Sequence, residues 1–82
     1  MNEVKIDLKH PVKDVTGEII QSLTIRSPKV RDMIAAEKAF ETEGERGVYL
    51  MSLLCGVSPK VIEEMEMIDY RQLQKVSQGF LS

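Results

Sequence analysis

The sequence predicts an α+β fold, an N-terminal β-hairpin followed by three or four short α-helices. Three observations predict it. Two runs of apolar/polar alternation flank a polar stretch that closes on Gly17. After Arg26 the apolar period changes from two to that of a helix. The tetrapeptide Ser-Pro-Lys-Val occurs at Ser27 and again at Ser58, each time where a helix start is needed. The chain reads as one small domain, residues 1–82, with the hairpin at about 3–26 and the helical part at about 28–81. No linker or low-complexity segment interrupts it.

Each element follows from its residues. Val4, Ile6 and Leu8 alternate with Lys5, Asp7 and Lys9, which gives a strand with one dry face. His10-Pro11 is expected to end it, because Pro11 has no N–H to donate to a ladder. Lys13 to Gly17 is the turn. In the second strand Ile19, Gln21, Leu23 and Ile25 make one face, and Ile20, Ser22, Thr24 and Arg26 the outer one.

Ser27 is expected to cap the first helix, with Pro28 at its first position. Val30, Met33, Ile34 and Phe40 recur at helical spacing, and Ala35, Ala36 and Ala39 keep the propensity high. Thr42 to Glu45 has the form of a capping box for a second helix that runs to Gly56. Gly44 and Gly47 weaken its first turns by roughly 1 kcal/mol each relative to Ala, so fraying is expected there. Gly56 suits the left-handed residue that ends a helix, with Val57 as its apolar contact. Ser58-Pro59 starts a short third helix that ends near Met65. Asp69 is read as the cap of the fourth, with Gln72 as its reciprocal partner and Ile68 and Leu73 as a hydrophobic staple. Leu73, Val76 and Phe80 form its inward stripe.

Composition excludes several functions. The formal charge is −2, there is no Trp, and aromatics make up 5% of the chain. A nucleic-acid surface wants clustered cations and stacking rings, so no nucleic-acid partner is expected. No apolar run approaches the ~20 residues that span a bilayer, so no membrane partner is expected either. One cysteine, Cys55, cannot form an internal disulfide, which points to a reducing cytoplasm. A chain of this size buries only about 60–65% of its unfolded surface, so support from a partner or an oligomer is in keeping with its length.

The residues that carry chemistry elsewhere are scarce. His10 is the only histidine and stands at a strand end, where a structural or solvent-exposed role is the plain reading. Cys55 falls on an apolar stripe and reads as a small hydrophobe. One Cys and one His cannot fill a zinc site. Glu63, Glu64, Glu66 and Asp69 lack the spacing and central glycine of a calcium loop. No enzyme activity, metal or cofactor is expected. Function is sought in surfaces: the open strand edges of the hairpin, which admit another strand or a second copy of the chain, and adaptable methionines. The partner residues expected are Met65, Met67 and Tyr70, in and after the third helix, then Ile20 on the outer hairpin face.

The chain resembles the small tail assembly chaperones of Mu-like and related contractile-tailed phages and prophages. The resemblance is carried by Val4 to Pro11, by Ile20 to Lys29, and by Val30-Arg31-Asp32 leading to Ala36-Glu37-Lys38. It continues through Leu53 to Pro59 and closes with Asp69-Tyr70, Leu73-Gln74 and Gly79-Phe80-Leu81. Phe40 to Gly47 contributes nothing to it. The resemblance implies a non-virion factor, present in the bacterial host cytoplasm, that holds the long, helical, apolar tape-measure protein until tail-tube subunits polymerise around it. It also implies a longer product made by translational frameshifting, whose added domain contacts tube protein. An end at Ser82 is compatible with the short product. The alternative is a structural minor tail protein or adaptor retained in the virion, motivated by the open hairpin edge. A small winged DNA-binding module is a third reading, disfavoured by the charge.

Overall fold

Alternation along the first segment builds β1, Glu3–Lys13, and the second run builds β2, Ile19–Arg26; the two pair antiparallel. The computed structural model describes residues 3–81, so residues 1, 2 and 82, at the ends of the expected 1–82 unit, lie outside the described residues. Glu3 pairs with Arg26, and the register runs without interruption to Asp7 opposite Ser22. Ile6, Leu8, Leu23 and Ile25 are buried on one side. The turn is organised by Asp14. Its carboxylate accepts the Thr16 N–H at 2.8 Å, the Thr16 hydroxyl at 2.6 Å and the Glu18 N–H at 3.1 Å. Gly17 completes the turn at φ +87°, where a side chain would be strained.

His10-Pro11 does not end the strand. Between Asp7↔Ser22 and Val12↔Ile20, the four residues Leu8–Pro11 stand against Gln21 alone. This is an extended bulge, and pairing resumes beyond it. A bulge is one of the few places in a sheet where proline costs no ladder bond. The bulge also changes which side faces inward. Ile20, not Ile19 or Gln21, pairs with buried Val12 and packs on the core. Ile20 is therefore half-buried on the inner side, a correction to its expected place on the outer hairpin face.

The described residues form four helices: α1, Val30–Ala39; α2, Glu43–Cys55; α3, Pro59–Glu63; and α4, Met67–Gly79. The α1 start differs from expectation. Ser27 is not its cap; Lys29 is, and Asp32 reaches back to accept the Lys29 N–H at 2.8 Å. The other two starts carried by hydroxyl residues hold. The Thr42 hydroxyl accepts the Glu45 N–H at 3.2 Å, and Ser58 Oγ accepts the Lys60 N–H at 3.2 Å with Pro59 first in the helix. Gly56 is left-handed, φ 67° and ψ 34°, and its N–H and that of Val57 both reach the Ser52 carbonyl. α2 is helical from Glu43 despite Gly44 and Gly47. α3 ends at Glu63, two residues before Met65. α4 starts earlier than expected, with Glu66 at the cap position, so Asp69 and Ile68 lie inside the helix and the expected cap and staple do not form.

One apolar cluster joins hairpin and helices. Ile6, Leu8, Val12, Leu23 and Ile25 meet Met51 and Leu54 of α2, Val61 and Ile62 of α3, then Met65 and Leu73. Ile25 and Leu73 are fully enclosed. Each such side chain contributes about 1.5–3 kcal/mol on leaving water. α1 stands apart: the residues it buries are Asp32 and Ala36, and neither belongs to this cluster.

Candidate interaction surface

Two buried carboxylates, whose partners sequence reasoning missed, decide which surfaces this molecule presents. Asp32 forms a bidentate pair with Arg26 at the end of β2, at 2.8 Å for each nitrogen–oxygen contact. The Arg26 guanidinium holds the Asp32 carboxyl down to about 2, against the rise that burial alone causes, and the Lys29 N–H adds to the lowering. Arg26 in turn is raised, first by its hydrogen bonds to Asp32. The pair fastens α1 to the hairpin by its Asp32 side. Helical spacing of Val30, Met33 and Ile34 would ordinarily mark a face turned to a core. Here that face looks outward, with Val30 70%, Met33 51% and Ile34 46% exposed. The sequence signal for the pair was an acidic residue at the third position of the helix, six residues after a strand-terminal arginine.

The second carboxylate, Asp69, projects from α4 into the β1 bulge. The Lys9 N–H donates to Oδ1 and the His10 N–H to Oδ2, each at 2.9 Å. A bulge leaves consecutive amides without ladder partners, and one carboxylate accepts both. Asp69 is read from sequence as a helix cap, a role that also binds backbone N–H groups; the amides it binds belong to a strand some sixty residues away.

The exposed apolar face of α1 continues into a shallow groove of about 250 Å³ between α1 and α2, where Met33 and Ala36 face Gly47 and Leu50, with Glu37, Glu43 and Arg46 at the rim. A second groove of about 250 Å³ lies between the α1–α2 connection and α3, lined by Phe40, Gly44, Val48, Tyr49 and Pro59. Its wall is set by the edge-to-face stack of Phe40 on Tyr49, centroids 5.6 Å apart, and by Arg46 Nε donating to the Phe40 carbonyl at 2.7 Å. Gly47 is glycine for a packing reason: a Cβ there would lie 3.0 Å from the Tyr70 hydroxyl.

The four residues expected at a partner surface are dispersed in depth. Met67, at the head of α4, is 61% exposed. Tyr70 is half-buried against α2, and burial raises its phenol. Ile20 is half-buried, and Met65 lies in the core beneath. The residues considered for chemistry stand apart from one another in role. His10 is exposed and is held by its backbone. Cys55 is half-buried against the core, which pushes its thiol up to about 11 and keeps it in the unreactive form. Among the described residues no three His, Cys, Asp or Glu side chains converge as a metal site would require. No described helix is long and apolar enough to cross a membrane.

No curated protein and no solved structure matches the chain. A protein-family model does: phage tail assembly chaperone proteins, E, or 41 or 14, over residues 5–82. That span takes in the hairpin from Lys5 onward, the bulge with its Asp69 bracket, and the four described helices. A scaffold that turns an apolar helix face outward suits such a role, and the chain belongs to the phage tail assembly chaperone family and is a tail assembly chaperone.

Proposed function

We propose that this chaperone acts without catalysis, in the cytoplasm of the bacterial host, by holding apolar helical segments of the tape-measure protein before the tail tube forms around them. The observation that carries the reading is the family match over residues 5–82. The exposed face of Val30, Met33 and Ile34, with the groove beside it, supplies the kind of surface such a client needs. An amphipathic helix laid in an apolar groove binds through residues spaced three and four apart, and the flexible Met33 adapts to varied side chains. Many weakly bound copies along one long client gain from multivalency.

In this reading residues 1–82 act as one unit. Met67 is a second contact, with Tyr70 and Ile20 at the margin and Met65 as the support beneath them. Contact with tail-tube protein belongs to a longer, frameshifted form. Co-expression with fragments of the tape-measure protein tests the proposal. Client fragments become soluble and co-purify with the chain if it holds. The reading fails if every fragment stays insoluble and unbound, or if mass spectrometry finds this chain at stoichiometric levels in purified mature tails.

A further inference from the structure

We propose that this chain associates with a second copy of itself through the outer edge of β1, the two β1 strands pairing antiparallel about a two-fold axis at Ile6. Among the described residues β1 is hydrogen-bonded to β2 alone, so its other edge has no strand partner. An unpaired edge is a template for another strand. A groove of about 310 Å³ runs along it, between Val4–Asp7 and the flank of α4 that carries Ile68, Gln72 and Val76. Val4 and Ile68 are both exposed there, and an added strand would cover them. At the far end the Asp69 carboxylate occupies the Lys9 and His10 amides, which stops pairing at the bulge. The free run is therefore Val4–Leu8, whose centre is Ile6.

The occupant is fixed by charge. The solvent face of β1 reads Glu3, Lys5, Asp7, Lys9. About an axis at Ile6, Lys5 meets the Asp7 of the second copy and Asp7 meets its Lys5. Shifting the axis to Lys5 sets Lys5 on Lys5 and Glu3 on Asp7. Shifting it to Asp7 sets Asp7 on Asp7. An axis between residues would oppose core-facing and solvent-facing positions, which the period of two forbids. Opposite charges directly across a strand pair stabilise it and like charges oppose it. The strand is thus complementary to itself in one register. Within its own hairpin Lys5 faces Thr24 and Asp7 faces Ser22, so neither charge is committed to β2.

This independence makes a charge swap clean. Sedimentation velocity of the full chain over a wide concentration range should show a monomer–dimer equilibrium. K5D and D7K should each weaken the dimer by roughly tenfold or more, since each replaces two attractive pairs with two repulsive ones. The double variant K5D/D7K should restore it. Thermal unfolding of each variant reads the hairpin separately from the dimer. On the wild-type chain, amide exchange between Val4 and Asp7 should slow as concentration rises. A monomer at every concentration would overturn the proposal. So would a dimer that ignores the single variants or lacks concentration-dependent protection on β1, since such a dimer forms through α1 or the β2 edge.

Discussion

Asp32 and Asp69 are both buried carboxylates, and each works by accepting hydrogen bonds from another element. For Asp32 the consequence is a pH dependence with a definite sign. Its folded-state value of about 2 is depressed from the ordinary 3.8. The stability it contributes is therefore complete above pH ~4 and is lost as pH falls through about 2. The size is about 2 kcal/mol, which denaturant melts between pH 2 and pH 7 should resolve. R26M should lower stability at neutral pH by about 2 kcal/mol, because Asp32 keeps only the Lys29 N–H, and should flatten that acid limb. For Asp69 the prediction concerns geometry. D69A strands two strand amides in the bulge and should cost about 2–3 kcal/mol in urea unfolding. D69N retains one acceptor but offers its other atom as a donor to an N–H, so it should recover little. An equal stability for D69N and wild type would mean that the bulge does not need the bracket.

At the scale of elements, the glycines of α2 separate propensity from packing. Both sit in a helix and both carry the same intrinsic penalty, near 1 kcal/mol relative to Ala. A Cβ at Gly44 meets nothing within 4 Å, whereas one at Gly47 meets the Tyr70 hydroxyl at 3.0 Å. G44A should therefore stabilise the protein by about 1 kcal/mol, and G47A should gain less or lose. Removing the hydroxyl with Y70F should close the gap between them. The thermal midpoints of the wild type, G47A, Y70F and G47A/Y70F form the cycle, and a G47A gain equal to that of G44A in the parent would show that α4 yields freely. The expected fraying of the first turn of α2 follows from the glycines alone. The Thr42 cap and the hydrogen bond from Arg46 to the Phe40 carbonyl offset it, and the helix begins at Glu43.

For the whole molecule, the defining feature is a core built from the hairpin, α2, α3 and α4, with α1 packed against α2 outside it and fastened to the hairpin by the Arg26–Asp32 pair. That arrangement lets α1 keep an apolar face in water without costing core packing. Exposed positions of this kind change stability little when replaced by a good helix former. M33Q/I34Q should unfold within about 0.5 kcal/mol of wild type, yet lose most of its ability to keep tape-measure fragments soluble in co-expression. If the double variant chaperones as well as its parent, the client sits elsewhere, and Met67 at the head of α4 is the next residue to replace.

The sequence by itself determined the element types, because alternation, helical spacing and start and stop residues are local properties of the chain. Val4 to Leu8, Thr42, Gly56 and Ser58-Pro59 each do what their chemistry dictates within a few residues. The ordered residues from Val4 to Leu81 also carried the family. Tertiary structure alone decided how those elements are turned. Pro11 reads as a strand end until a bulge gives it a place, and Asp69 of α4 accepts the amides that the bulge leaves free. Ile20 and Ile19 exchange sides at that bulge. The stripe of Val30, Met33 and Ile34 reads as core until Arg26 draws Asp32 inward and rotates the helix. Periodicity reports that a face is apolar. Which face is buried depends on contacts between elements, here those of two carboxylates whose partners lie on other elements.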